Sequence, residues 1–139
     1  MDDIKIQLIG MCKAMMDAIA GGPDDSDSLL GQLPKVFYLD FAYLDKDKFI
    51  GSRIANPLET YRYENGTLKS VPPGTKGNVE PIHFGFFSEG HFAVAIDKTN
   101  KYAYVGFALG SLFGRGVRYT IMPDVEGNTL AGMKMLWTA

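Results

Sequence analysis

The sequence predicts an α+β fold in which one N-terminal helix packs against a curved, mainly antiparallel sheet of about seven strands. Three observations predict it: one helical pattern at about residues 3–20, a run of strand patterns over about residues 35–138, and turn-forming residues between them. A chain of 139 residues has the size of one domain. We therefore expect a single domain whose sheet is either half open or closed into a barrel.

Composition excludes several classes of function. The net charge is −2 and Lys and Arg are not clustered, so we expect no nucleic acid partner. No apolar run reaches the roughly 18 residues that span a bilayer, so we expect no membrane partner. The acidic start at residues 1–3 is unlike the basic start of a signal peptide, and a single cysteine excludes an internal disulfide. These features favour a cytoplasmic location.

The segment at about residues 3–20 has the periodicity of an amphipathic helix. Gly21, Gly22 and Pro23 end it, because glycine accepts the backbone conformation of a helix end and proline cannot continue the hydrogen-bond ladder. We expect its apolar stripe to face the sheet. The members of that stripe are Ile4, Leu8, Met11, Met15 and Ile19, with Cys12 and Met16 beside them.

A second stripe, of small residues, runs along the same helix. Gly10, Ala14 and Ala18 are spaced four residues apart, so another backbone can approach this side closely. Packing on the sheet is the simpler interpretation, and a homodimer through this helix is the alternative. We assign Cys12 to the core rather than to nucleophilic chemistry, because it lies at the edge of the apolar stripe.

Two strand patterns follow the helix. Residues 35–44 alternate, and Asp40 is the one carboxylate on its face, so it pairs with another group, reaches solvent or takes part in chemistry. We favour a structural role for it. Residues 58–71 contain Asn65-Gly66 between alternating residues, the strongest short hairpin signal in the chain, and this turn places Glu64 opposite Thr67.

The stretch 81–108 predicts three consecutive strands at the centre of the sheet. A tight turn at Ser88-Glu89-Gly90 pairs Phe87 with His91 and makes the two faces of the first hairpin chemically different. One face is apolar and belongs to the core. The other, which we call the predicted floor, carries small residues with a histidine near each end. Its members are His83, Gly85, Phe87, His91, Ala93 and Ala95.

The next turn decides which residues of the third strand lie beside the predicted floor. A two-residue turn at Thr99-Asn100 places Ala103, Val105 and Phe107 in the core and Tyr104 beside the floor, whereas a turn one residue longer exchanges the faces. We prefer the two-residue turn.

The segment 106–116 is dense in glycine, and we expect it to be a flexible loop between strands. Its backbone amides could cradle an anion with Arg115 as the partner, but the lysine of a phosphate-binding P-loop is missing. Strands are expected at 117–122 and 130–138.

The two histidines do not predict a metal site. In the predicted register His83 and His91 lie about 13 Å apart, so one ion cannot bind both, and we expect neither a metal nor a cofactor. Each histidine remains a separate candidate for acid/base chemistry or hydrogen bonding.

Without a catalytic motif, we favour a non-enzymatic binding domain that holds a small molecule or a protein partner on the predicted floor, with Asp40 and Tyr104 nearby. One alternative is a small-molecule isomerase, cyclase or lyase that uses His83 or His91 with Tyr104 as acid and base. Another is an inhibitory or immunity-type protein that covers a partner through an edge strand. Whether the helix or a ligand covers the predicted floor separates these functions.

Overall fold

The computed structural model describes residues 1–24, 27–44 and 51–138 of the chain, so part of the predicted β-rich region, 45–50, lies outside the described residues. Within these residues the predicted α+β class is confirmed, with one main helix and seven strands. Short 3₁₀ turns occur at Leu30–Gln32 and His83–Gly85. The main elements are α1 (Asp2–Ala20), β1 (Phe37–Leu44), β2 (Glu59–Glu64), β3 (Thr67–Val71), β4 (Phe86–Asp97), β5 (Tyr102–Gly110), β6 (Phe113–Asp124) and β7 (Gly127–Thr138).

The strands form one open sheet in the order β3-β2-β1-β4-β5-β6-β7. The β1–β4 pair is parallel and the other pairs are antiparallel, as expected for a mainly antiparallel sheet. In the described part of the chain β3 and β7 do not pair with each other, so the sheet is not a closed barrel. Since β3 is an edge strand and β4 lies beside β1, the connection 72–85 must cross β2 and β1.

Helix α1 packs on one face of this sheet, which we call the helix face. Its fully buried side chains follow helical spacing and are Ile4, Leu8, Cys12 and Met16. They meet a layer of aromatic and branched residues from the central strands, and a large apolar side chain that is fully buried contributes roughly 1.5–3 kcal/mol to folding. The central members of that layer are Phe37, Leu39, Phe92, Val94, Ile96 and Val105.

The small-residue stripe of α1 does not pack on the sheet. Gly10, Ala14 and Ala18 are exposed, and a Cβ added at Gly10 would meet no atom within 4 Å. The expectation of sheet packing is therefore wrong, because the apolar stripe points the opposite side of the helix at the core. The homodimer through this stripe stays a prediction.

The predicted hairpin at Ser88-Glu89-Gly90 is wrong, because β4 continues through these residues. Gly90 lies opposite Phe37 of β1, and its N–H donates to the Val36 carbonyl at 2.9 Å. A Cβ added at Gly90 would lie 2.6 Å from Phe37 Cδ1. Glycine is needed here to make room for a ring of the neighbouring strand, and not to turn the chain.

The glycine-dense segment is also strand rather than loop. Strands β5 and β6 run through it and turn at Ser111-Leu112. Gly116 lies beneath Trp137 of β7, where an added Cβ would be 2.0 Å from the indole Nε1. The expectation of a flexible loop is wrong because this glycine serves close packing between strands.

Two predicted registers are confirmed. Glu64 pairs with Thr67 across the Asn65-Gly66 turn. Asp97 pairs with Tyr102, the register of the preferred turn, and this places Ala103, Val105 and Phe107 on the helix face.

Candidate functional site

Five of the predicted site residues lie together on the face of the sheet opposite α1, which we call the loop face. Asp40 pairs with Ala93 across β1 and β4, and Ala95 pairs with Tyr104 across β4 and β5. His91 lies two residues before Ala93 on the same face of β4 and pairs with Tyr38 of β1. All five site residues are buried, with exposed fractions of 3% or less. The strand periodicity therefore brings together Asp40, His91, Ala93, Ala95 and Tyr104.

The chain itself covers the loop face, through segments 51–58 and 72–80. Ile54 packs on the cluster formed by Ala93, Ala95 and Tyr104. The second segment lies so close to β1 that a Cβ added at Gly77 would be 2.7 Å from the Tyr38 ring. Helix α1 therefore does not cover the small residues Ala93 and Ala95, which was one of the two possibilities that the sequence left open.

Asp40 joins both covering segments to the sheet. Its Oδ1 accepts a hydrogen bond from the Thr60 hydroxyl at 2.9 Å, and its Oδ2 accepts one from the Ile54 N–H at 3.3 Å. The Thr60 Oγ1 in turn accepts from the Gly74 N–H at 2.9 Å. A buried carboxylate requires such donors, and here they come from the two segments that cover it. Of the three roles that the sequence left open for Asp40, this geometry supports pairing.

A cavity of about 390 Å³ remains between the two covering segments. Its walls carry two cationic side chains, the half-buried Arg53 and the exposed Lys76. In residues 1–24, 27–44 and 51–138, no carboxylate lies within 4.0 Å of either cation. Among the described residues, the lining is formed by Arg53, Ile54, Ala55, Gly74 and Lys76. Two cations beside one cavity create a positive potential that attracts anions.

His91 lies near this cavity in an apolar setting. The Tyr38 and Phe87 ring centroids are 6.5 and 6.4 Å from its own, and its Nε2 is buried with no hydrogen-bond partner among the described residues. Burial and then the positive charge of Arg53 lower the pKa of His91 to about 4. The imidazole is therefore neutral at pH 7.

Three predicted site residues lie elsewhere. His83 is exposed in the short turn that precedes β4, and Gly85 ends the same turn, so neither extends the loop face as the predicted hairpin required. Arg115 pairs with Phe107 and lies two residues before Val117, which places it on the helix face. The predicted floor, which joined His83 and Gly85 to His91, Ala93 and Ala95, is therefore not formed as one surface.

The cysteine and the possible metal ligands also bear on the chemistry of the protein. Burial raises the pKa of the Cys12 thiol to about 12, so it is protonated at neutral pH. Within the described ranges, no three side chains of His, Cys, Asp or Glu are grouped so that they could hold a metal ion. The helices of the same ranges are all too short or too polar to cross a bilayer.

Sequence reasoning did not find Arg53, Lys76 or Thr60. Each cation stands alone in its own loop among Gly, Ser and Pro residues, a pattern typical of solvent-exposed connections. The two cations approach the same cavity only because Asp40 and Thr60 hold both loops on one face. No spacing in the sequence carries that information.

Comparison with protein family models, curated proteins and solved structures finds no match for this chain. The chemistry of the cavity and of its walls is therefore the basis for a functional proposal.

Proposed function

We propose that this chain is a small, non-enzymatic binding domain that holds a small anionic molecule in the cavity between segments 51–58 and 72–80. The observation that carries the proposal is the presence of Arg53 and Lys76 beside one cavity, without a carboxylate partner among the described residues. The net charge of the protein is −2, so the positive charge beside this cavity is opposite in sign to that of the protein as a whole.

The two cations suit an anion for different reasons. The Arg53 guanidinium is planar and can bind a carboxylate or phosphate through two parallel hydrogen bonds. The Lys76 ammonium sits on a long flexible stem and can reach the same ligand as a point charge. Backbone around Gly74 leaves space beside them because glycine has no side chain. Together these groups favour phosphate-sized anions and small polycarboxylates.

The positions of the acid/base candidates favour binding over catalysis. His91 is 3% exposed and Tyr104 is 1% exposed, and neither lines the cavity, while the exposed His83 lies outside the loop face. The enzyme alternative requires the covering segments to open. The inhibitory alternative gains no specific support from the residues that the structure describes, and it stays a prediction.

The proposal can be tested with two probes, inorganic phosphate and citrate, by titration calorimetry at constant ionic strength. We expect the unmodified protein to bind at least one of them. The double variant Arg53→Gln/Lys76→Gln should lose at least about tenfold in affinity, since a charge-assisted hydrogen bond contributes roughly 1.5–3 kcal/mol. If neither probe binds, or the double variant binds as well as the parent, the proposal fails.

A matched control separates this site from a general effect of charge. Arg118 and Lys134 pair across β6 and β7 on the same face, outside the lining of the cavity. The variant Arg118→Gln/Lys134→Gln removes the same charge and should keep the parent affinity. An equal loss of affinity in this control would mean that the anion responds to net charge alone.

A further inference from the structure

A second cavity lies on the other side of the sheet, between α1 and the helix face of β5, β6 and β7. Its volume is about 140 Å³. Among the described residues, its wall is mainly apolar and carries one cation. The lining residues are Met11, Met15, Val105, Phe107, Arg115, Val117, Tyr119 and Met133.

The side chains of β7 beside the cavity are only partly covered. The fully buried residues of α1 cover the middle of the sheet, while Met133 and Met135 of β7 remain 60% and 42% exposed. Methionine side chains are flexible and polarisable, so they adapt to the shape of a bound apolar group. Three of them, Met11, Met15 and Met133, line the cavity.

Among the described residues, Arg115 is the one charged side chain in the lining. Its strand position, opposite Phe107 and Thr138, places it beside the apolar wall. Of the carboxylates that the structure describes, none lies within 4.0 Å of its guanidinium. An apolar cavity beside a cation that has no carboxylate partner among the described residues is complementary to a molecule with an apolar tail and an anionic head.

We propose that this cavity binds a monocarboxylate whose apolar tail has about five carbons, with the carboxylate paired to Arg115. An apolar protein cavity of about 150 Å³ is known to hold benzene, so a tail of this size fits the observed volume. The tail contacts the three methionines and Phe107. This site is independent of the Arg53 and Lys76 cavity, since the two lie on opposite faces of the sheet.

Nuclear magnetic resonance of protein labelled with ¹³C at the methionine methyl groups tests the proposal, with hexanoate as the probe. Met11, Met15 and Met133 should shift on titration. Met16, which is fully buried in the core, serves as the internal reference and should not shift. Absence of shifts at the three lining methionines overturns the proposal.

The role of the cation is tested by Arg115→Gln, an exposed position where folding should be retained. Hexanoate affinity should fall at least about tenfold, while the affinity for the neutral analogue hexan-1-ol should stay unchanged. Arg118→Gln removes the same charge from the same strand on the opposite face, and it should bind hexanoate like the parent. Equal loss in both variants overturns the assignment of the carboxylate to Arg115.

A second copy of the chain is the competing occupant of this apolar surface. If it covers the cavity, the methionine signals will change with protein concentration in the absence of hexanoate. Sedimentation will then give twice the mass of the chain. That result overturns the proposal of a carboxylate ligand.

Discussion

Thr60 donates a hydrogen bond to the Asp40 carboxylate at 2.9 Å, and this pair joins two neighbouring strands to both segments that cover them. Asp40 holds segment 51–58 through the Ile54 N–H, and Thr60 holds segment 72–80 through the Gly74 N–H. The walls of the proposed anion site therefore depend on two side chains that lie beneath the cavity and do not line it.

Thr60→Val should lower the free energy of unfolding by about 1–3 kcal/mol, because it leaves a buried carboxylate and the Gly74 N–H each short of one partner. Urea denaturation measures the change. Thr120→Val, at an exposed strand position, is the matched control and should change stability by less than about 0.5 kcal/mol. Equal effects in the two variants would contradict the linking role of Thr60.

His91 should make stability depend on pH. Its pKa is about 4 in the folded protein and 6.5 as an unperturbed group, so between these values the unfolded chain holds a proton that the folded protein lacks. The free energy of unfolding should therefore fall as pH decreases from 6.5 to 4, by roughly 3 kcal/mol in total. Urea denaturation over this range measures it.

The variant His91→Gln isolates this contribution from that of the carboxylates. It should have a smaller decrease in stability between pH 6.5 and 4 than the parent, whatever its stability at pH 7. His83→Gln, at an exposed position, should retain the parent slope. If both variants keep the full slope, the pH dependence does not come from His91.

Gly116→Ala should displace the indole of Trp137, because the added Cβ would lie 2.0 Å from Nε1. We expect a red shift of tryptophan emission as the ring moves towards water, with a loss of about 1–3 kcal/mol in stability from overpacking. Trp137 is the only tryptophan, so the signal has a single source. An unchanged emission maximum would show that the ring does not rest on Gly116 in solution.

Gly10→Ala should increase the free energy of unfolding by about 1 kcal/mol, since alanine favours a helix interior and no atom lies within 4 Å of the new Cβ. Thermal denaturation measures the change. If the variant is instead less stable than the parent, and this difference grows with protein concentration, a second copy packs on Gly10, Ala14 and Ala18. The variant thus also tests the homodimer predicted from this stripe.

Local patterns in the sequence predicted much of the fold. Helix α1 follows from apolar spacing, and the β2–β3 register follows from the Asn65-Gly66 turn, whose two residues accept positive φ. The pairing of Asp97 with Tyr102 follows from the alternation on either side of a short turn. In each case the interacting residues are near one another in the chain, so their order along it carries the information.

The candidate site was predicted only in part. Alternation within single strands was enough to place Asp40, His91 and Tyr104 on one face. Arg53 and Lys76 could not be found, because loops have no periodicity that fixes where a side chain points. Arg115 was predicted as an anion partner in a glycine-dense loop, whereas it lies in β6 on the face opposite Asp40, His91 and Tyr104.

The sequence by itself determined that the chain has one amphipathic helix, a β-rich remainder and a central segment with an apolar face and a small-residue face. Tertiary structure alone decided that β4 pairs in parallel with β1 and that Gly90 makes room for Phe37 rather than turning the chain. It also decided that loops, and not α1, cover Ala93 and Ala95. The physical reason is that periodicity and turn geometry are properties of neighbouring residues, whereas strand partners and covering segments are chosen by packing between residues far apart in the chain.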